Sequence, residues 1–169
     1  RLLTPADYGM VGMLTVFSAL ASILQEGGFI SALTNRKKTE HKDYNAVFWF
    51  SLLMGTSLYT LLYICAPLIA DFYQQPQLTS LARLSFLSFL ISSTNVAPRA
   101  FLFKQLRTKE NAIISFCSLT ISGIIGIVLA YKGFAYWGIA IQTIAFTTGT
   151  TILSYYFSGW KPSLHIDFT

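Results

Sequence analysis

The sequence predicts an all-α integral membrane protein, a bundle of five transmembrane helices. Of its 169 residues, 11% are charged and 53% are hydrophobic, whereas a soluble domain has about 25% charged residues. The apolar residues form five stretches, each long enough for a membrane span of about 20 residues. The polar connections between them alternate between rich and poor in Lys and Arg. The predicted helices are Tyr8–Leu33, Ala46–Ala70, Leu78–Ala97, Ala112–Tyr131 and Gly138–Phe157.

The first predicted helix combines lipid-compatible residues with one polar face. The preceding Thr4, Pro5 and Asp7 are typical of a helix start. They supply a capping hydroxyl, a proline in the first turn and an acid near the positive end of the helix dipole. At about 100° per residue, the polar side chains of the helix cover roughly a third of its circumference. They are Thr15, Ser18, Ser22, Gln25 and Glu26.

This polar face has two interpretations: it lines a hydrated substrate path, or it forms hydrogen bonds with a neighbouring helix. The carboxylate of Glu26 favours a functional role, because an ionisable group at membrane depth is costly and rarely faces lipid. The alternative is that Glu26 extends to the nearby cytoplasmic interface. We take the five residues of this face as candidates for the substrate path.

The third predicted helix carries a second polar stripe, for which we favour helix packing over a substrate path. Its members recur every three or four residues. They are Ser85, Ser88, Ser92, Asn95 and Arg99. Pro98 interrupts the pattern and predicts a kink or the end of the span. Arg83 is interpreted as an anchor at the membrane interface rather than as a phosphate ligand.

The fourth predicted helix contains a line of small residues, the usual seam for close helix contact in lipid. This line consists of Ser118, Ser122 and Gly126. The fifth helix carries Gln142 and several threonines. Cys65 and Cys117 both lie in apolar runs and near opposite faces of the predicted bundle. We therefore expect them to be packing residues without a disulfide.

The distribution of Lys and Arg predicts the orientation of the bundle. The connections Thr34–Asn45 and Arg99–Asn111 hold four Lys or Arg each, whereas the other two turns hold only Lys132. Basic connections stay in the cytoplasm, so the net charge of +5 is explained without a nucleic-acid partner. The first connection also contains a run of cations that would attract anionic lipid head groups. These cations are Arg36, Lys37 and Lys38.

This orientation starts the chain on the outer side, so we expect at least one preceding helix and a larger membrane protein of which this is a fragment. His41 and His165 are too far apart in sequence to suggest a metal site. The sequence contains no nucleotide-binding motif and no nucleophile with a neighbouring base. We therefore predict a transporter rather than an enzyme, with no cofactor, no metal and no ATP-driven step.

Several segments follow the order of a known family along nearly the whole chain. The first is the opening Arg1–Gly9, with the sequence RLLTPADYG. The others are Glu26–Phe29, Asn35–Lys37, Pro67–Tyr73, Ala82–Phe86 and Lys161–Leu164. Together they resemble the Wzx-like polysaccharide flippases of the multidrug/oligosaccharidyl-lipid/polysaccharide exporter superfamily. Within it they are most similar to the colanic acid and teichuronic acid exporter branch.

The resemblance implies a protein of roughly twelve helices in two lobes, with this chain supplying helices two to six of the N-terminal lobe. It implies that an oligosaccharide on undecaprenyl diphosphate crosses the bacterial inner membrane by alternating access, for polysaccharide or lipopolysaccharide biosynthesis. In such folds the first two helices line the central cavity, which agrees with the polar face of Tyr8–Leu33. The partners implied are the lipid-linked oligosaccharide, membrane lipids and polysaccharide assembly machinery. Glu26 stands where relatives commonly carry Asp, so the carboxylate is kept on a longer side chain.

Two other functions stay open from the sequence. A drug/cation antiporter of the same superfamily would carry more acidic groups in its cavity. A membrane-embedded glycan polymerase or ligase would need large outer loops with catalytic Arg or His, and the outer turns here are short.

Overall fold

The computed structural model describes residues 5–26 and 40–162, and in these ranges the regular structure is entirely α-helical. The all-α prediction is confirmed for this part of the chain. The predicted continuation of the first helix over residues 27–33 lies outside the described residues, as do Arg36, Lys37 and Lys38. The five helices are α1 Pro5–Glu26, α2 His41–Phe72, α3 Gln77–Lys104, α4 Thr108–Tyr131 and α5 Ala135–Ser158.

Three of these helices, α2, α3 and α4, are long and apolar enough to cross a membrane. Their outward surfaces carry large apolar side chains, such as Leu53, Ile64, Phe116 and Ile124, each more than half exposed. Contiguous apolar surface of this kind is unusual on a soluble protein and is what lipid requires. The chain is therefore part of a multi-pass membrane protein, and the prediction of a membrane helical bundle is confirmed.

Helix α5 has 24 residues, or about 36 Å at 1.5 Å per residue, which is also enough to span a bilayer. Its threonines lower its hydropathy, but their hydroxyls are satisfied within the helix. Thr143 donates to the carbonyl of Ile139 at 3.0 Å, and Thr147 donates to the carbonyl of Thr143 at 2.9 Å. Hydroxyls paired in this way lie in apolar surroundings at low cost.

Helix α2 begins before the predicted Ala46 because its first turn forms a capping box. The backbone N–H of Glu40 donates to the carboxylate of Asp43 at 3.0 Å, and the Glu40 side chain accepts from the N–H of Asp43 in return. Two N–H groups that the helix leaves unpaired are thus satisfied. The polar residues preceding the apolar run therefore belong to the helix, whereas the sequence prediction left them in a connection.

Helix α3 continues through Pro98 to Lys104, well beyond the predicted end at Ala97. A proline inside a helix has no N–H for the carbonyl four residues earlier, here that of Thr94. The structure supplies a substitute from another helix, because the hydroxyl of Tyr155 on α5 donates to the Thr94 carbonyl at 2.8 Å. This tertiary hydrogen bond satisfies the acceptor, and the span does not end at Pro98 as the sequence had suggested.

Helix α3 is the centre of the bundle and contacts all four other helices. It packs most extensively along α2 and α5, and α4 packs along α5. The core beside it contains completely buried side chains from the N-terminal half of α3, including Leu78, Leu81, Ala82 and Phe86. At Gly55 of α2 the two backbones come close, since an added Cβ would overlap the Cβ of Ser93.

The predicted seam of small residues on α4 is confirmed. Ser118 and Ser122 are each 1% exposed, and Gly126 is buried. A Cβ added at Gly126 would lie 2.8 Å from Cδ of Gln142, and one added at Gly149 would lie 3.4 Å from Cβ of Ser118. Small side chains therefore bring α4 and α5 into close contact, as expected for helices that associate in lipid.

Helices α2 to α5 run alternately up and down, which brings the described basic residues mainly to one end. At one end, Tyr136 at the start of α5 donates to Gln77 at the start of α3 at 2.9 Å. At the other, Arg107 before α4 donates to the carbonyl of Phe157 at 3.2 Å, next to the end of α5. We call this second end the basic end. Its described cations are Lys42, Arg99, Lys104, Arg107, Lys109 and Lys161.

Gly55 and Gly123 provide a matched test of the α2–α3 contact. Gly55→Ala forces Cβ against Ser93, so we expect it to cost about 1–3 kcal/mol, the usual range for overpacking. Among the described residues, no atom lies within 4 Å of a Cβ added at Gly123. Gly123→Ala should therefore leave stability unchanged or raise it slightly. Thermal melting of the full-length protein in detergent checks this, and equal melting temperatures for the two variants would contradict the contact.

The bond from Tyr155 to the Thr94 carbonyl is tested by a double-mutant cycle with Pro98. Tyr155→Phe removes the donor and should destabilise the full-length protein by about 0.5–1.5 kcal/mol. In a Pro98→Ala background the restored N–H competes for the same carbonyl, so the cost of Tyr155→Phe should fall.

Tyr156→Phe is the control for this cycle, because Tyr156 is 79% exposed. It should not change the melting temperature. If Tyr155→Phe lowers the free energy of unfolding equally in the wild-type and Pro98→Ala proteins, the tyrosine hydroxyl does not compensate for the missing N–H of Pro98.

Candidate functional site

A cleft of about 370 Å³, lined by apolar side chains and hydroxyl groups, lies between α1, α3 and α5. We call it the α1–α3–α5 cleft. Its apolar lining, the larger part of its surface, includes Leu14, Phe89 and Ala140. The polar groups come from three helices that are distant in sequence and meet only in the folded bundle. They are Thr15, Ser18, Ser85, Ser88 and Thr143.

Three of these hydroxyls have their protons engaged on their own helices. Thr15 donates to the carbonyl of Val11 at 3.0 Å, Ser88 to that of Ser85 at 2.6 Å, and Thr143 to that of Ile139 at 3.0 Å. A hydroxyl has one proton and two lone pairs, so each oxygen can still accept a hydrogen bond. The cleft therefore offers acceptors for a ligand that carries its own hydroxyl donors.

The polar face predicted on the first helix is described in part. Thr15 and Ser18 line the cleft. The side chains of Ser22, Gln25 and Glu26 lie outside what the structure describes, although the backbone of all three belongs to α1. Their assignment to a substrate path stays a prediction.

The second predicted stripe divides between two cavities. Ser85 and Ser88 line the α1–α3–α5 cleft, whereas Asn95 and Arg99 line a different pocket nearer the basic end. Ser88 bonds within its own helix rather than to a neighbour. The predicted role of the stripe in helix packing is therefore incomplete, because four of its residues line cavities.

The second cavity has a volume of about 250 Å³ and lies between α3, α4 and α5. We call it the basic-end pocket. Asn95 is only 9% exposed, and its Oδ1 is buried without a hydrogen-bond partner. A buried acceptor left unpaired costs about 1–3 kcal/mol, so such groups usually have a partner. The polar side chains that line this pocket are Asn95, Arg99, Asn111, Ser115, Thr150 and Ser154.

A shallow groove of about 260 Å³ lies between α4 and α5, next to both cavities. It shares Thr143 with the α1–α3–α5 cleft and Phe146 with the basic-end pocket. Gln142 and Ser122 contribute its polar groups. Cavities with some polar lining residues thus lie along α5 from Ile139 to Ser154.

Sequence reasoning did not single out Thr143, Asn111 or Ser154. A signal for two of them was present, because Thr143, Thr147, Thr150 and Ser154 recur at spacings of four, three and four. This is the periodicity of one helix face. Asn111 had no such signal, since it reaches the pocket only because α4 begins beside the last turns of α3.

Arg83 packs on α2. Its guanidinium carbon lies 4.3 Å from the centre of the Tyr63 ring, and its Nε is buried without a partner. A cation over an aromatic face at this distance is a favourable contact. The structure thus shows Arg83 in contact with Tyr63 of the neighbouring helix α2. Its role as an anchor at the membrane interface stays a prediction.

The sequence profile of a protein family described as "Polysaccharide biosynthesis protein" matches residues 1–169. This chain belongs to that family. The resemblance to Wzx-like polysaccharide exporters is thereby confirmed. No solved structure matches the chain significantly.

Curated members of the family have related names. The teichuronic acid biosynthesis protein TuaB of Bacillus subtilis is 31% identical over 74% of this chain and 29% of its own length. The succinoglycan biosynthesis transport protein ExoT of Rhizobium meliloti is 27% identical over 84% of this chain and 29% of its own length. The lipopolysaccharide biosynthesis protein WzxC of Escherichia coli is 22% identical over 99% of this chain and 34% of its own length. The chain thus spans about a third of the length of the relatives it matches.

Proposed function

We propose that this chain forms part of a flippase that moves a lipid-linked oligosaccharide from the inner to the outer leaflet of the bacterial cytoplasmic membrane. The substrate is a glycan on undecaprenyl diphosphate, and transport proceeds by alternating access without ATP. The observation that carries the proposal is the α1–α3–α5 cleft, in which hydroxyls from three helices lie among apolar side chains. Family membership supports the link to polysaccharide biosynthesis.

The chemistry of the cleft suits a sugar better than a cation. Sugar hydroxyls donate hydrogen bonds to the free lone pairs of Thr15, Ser88 and Thr143. The apolar side chains of the cleft can pack against the C–H faces of a sugar ring. The described residues that line the cleft offer hydroxyl groups and no acidic group, which suits a neutral sugar better than a cationic drug. A drug/cation antiporter is therefore the less favoured candidate.

A glycan polymerase or ligase is also less favoured by the described part of the chain. Residues 73–76 join α2 to α3, and residues 132–134 join α4 to α5. These connections are too short to form a catalytic loop domain at that end of the bundle.

Within the proposed cycle, the polyprenyl tail stays in the bilayer while the glycan and diphosphate cross through a hydrated path. Glu26 is proposed as the group whose protonation couples transport to a proton gradient. It belongs to the same helix as Thr15 and Ser18. A carboxylate within the membrane can change its protonation state between the two conformations of a transporter.

Thr15 is tested against Thr56, which is a matched control. Both threonines are exposed and donate to the carbonyl one turn back, at 3.0 Å for Thr15 and 2.7 Å for Thr56. Only Thr15 lines the cleft. We expect Thr15→Val to reduce glycan export about two- to tenfold, the equivalent of one lost hydrogen bond, while Thr56→Val has no effect.

The measurement is surface glycan produced by cells in which the full-length protein is the only exporter, normalised to protein level. Thr15→Ser keeps the hydroxyl and should restore export. If Thr15→Val and Thr56→Val export equally well, the cleft does not contact the glycan.

The role of Glu26 is tested by charge removal. Glu26→Gln should reduce glycan export and its dependence on the transmembrane proton gradient, because the amide cannot take up or release a proton. Glu26→Asp keeps the carboxylate and should retain most of the activity. Export by Glu26→Gln at the wild-type rate, with normal protein levels, would exclude the coupling role and leave the proposed glycan path standing.

A further inference from the structure

The basic-end pocket differs in chemistry from the α1–α3–α5 cleft and has its own polar residues. We propose that this pocket binds the phosphate headgroup of an anionic membrane lipid. The ligand class is a phosphodiester with hydroxyl groups beyond the phosphate, as in phosphatidylglycerol. This site is separate from the proposed glycan path.

The buried amide of Asn95 is the first observation. Its Oδ1 is sealed from solvent and has no partner within the protein, although the side chain lines the pocket. Buried acceptors of this kind are normally paired with protein, water or ligand. A hydroxyl of the headgroup would donate to Asn95 Oδ1 and satisfy it.

Arg99 supplies the cation. It lies one turn after Asn95 on α3 and lines the same pocket. Over residues 5–26 and 40–162, none of the side chains lining the pocket is acidic and Arg99 makes no ion pair. Its guanidinium is thus available to a phosphate, which it can bind through two parallel hydrogen bonds.

The first turns of α4 provide further donors. Asn111 and Ser115 lie on these turns and line the pocket. Helix N-termini attract anions, because their N–H groups and the helix dipole both point a positive end toward the ligand. Thr150 and Ser154 close the opposite side from α5. The pocket therefore offers one full positive charge and several neutral donors, near the start of α4.

The size of the pocket and its surroundings favour a lipid over a glycan. Its volume of about 250 Å³ is below the ~300 Å³ at which pockets begin to hold a drug-sized molecule. It fits a headgroup but not an oligosaccharide. Phe103 lines the pocket and is 57% exposed, so apolar surface continues from the pocket to the outside of the bundle. Acyl chains can follow that surface while the phosphate stays at Arg99.

The location is consistent with this ligand. The pocket opens among the cations of the basic end, which the distribution of Lys and Arg predicts to be cytoplasmic. Anionic lipids give the cytoplasmic leaflet its negative surface potential. A specific site for their headgroup at this depth would hold the ends of α3, α4 and α5 together from the lipid side.

The test compares Arg99→Gln with Lys109→Gln in the full-length protein. Both remove one positive charge at the basic end, but Lys109 is exposed and does not line the pocket. Native mass spectrometry of protein from nanodiscs of mixed phosphatidylglycerol and phosphatidylcholine measures which lipid is retained. We expect Arg99→Gln to lower phosphatidylglycerol retention about tenfold, the equivalent of one charge-assisted hydrogen bond pair, and Lys109→Gln to leave it unchanged.

Asn95→Leu is the second variant, since it keeps the volume of the side chain and removes the amide. It should also reduce phosphatidylglycerol retention, with the melting temperature of each variant reporting whether it is folded. An equal loss for Arg99→Gln and Lys109→Gln would show diffuse attraction to the basic end and overturn the site. So would unchanged retention in folded Arg99→Gln.

A parallel arm adds inorganic phosphate to protein in phosphatidylcholine nanodiscs and measures binding by calorimetry. Weak or absent binding is expected, because the acyl chains and glycerol hydroxyls contribute to affinity. Binding of inorganic phosphate as tight as that of phosphatidylglycerol would overturn the lipid assignment. Glycan export is measured on the same variants, so that a failure of this site is distinguishable from a failure of the proposed function.

Discussion

Within a membrane, every backbone carbonyl needs a hydrogen-bond donor from the protein itself. Pro98 has no N–H, so the carbonyl of Thr94 in the central helix α3 lacks its usual helical donor. The hydroxyl of Tyr155 takes its place by donating to the carbonyl of Thr94. Because α3 contacts every other helix, a break at this point would affect the whole arrangement. The same bond holds α5 beside the last turns of α3, where Asn95, Arg99 and Ser154 form the basic-end pocket.

Close packing around α3 depends on small residues more than on large apolar ones. Gly55 lies against Ser93, and Ser118 and Gly126 lie against Gly149 and Gln142. Lipid tails solvate leucine as well as a protein core does, so helices in a membrane associate through close contact and polar groups. Where the α1, α3 and α5 surfaces do not fit closely, the structure leaves a cleft instead.

Polar side chains in this bundle have two separate uses. On exposed surfaces, hydroxyls such as that of Thr56 are paired with a carbonyl of their own helix. The same pairing at Thr15 and Ser88 leaves oxygen lone pairs facing a cleft, where they can contact a ligand. What distinguishes them is therefore position in the bundle rather than residue type or local hydrogen bonding.

The sequence by itself determined the all-α class and the α4 seam, because apolar length and small-residue spacing are local properties of the chain. It also indicated the family, through short segments that resemble it in order along the chain. Part of the candidate site followed from the same periodicity, since Thr15, Ser18, Ser85 and Ser88 were visible as stripes. Only the tertiary structure decided that these stripes meet each other and Thr143 around one cleft. It also decided that α3 passes through Pro98, because the donor that makes this possible comes from Tyr155, which is remote in sequence.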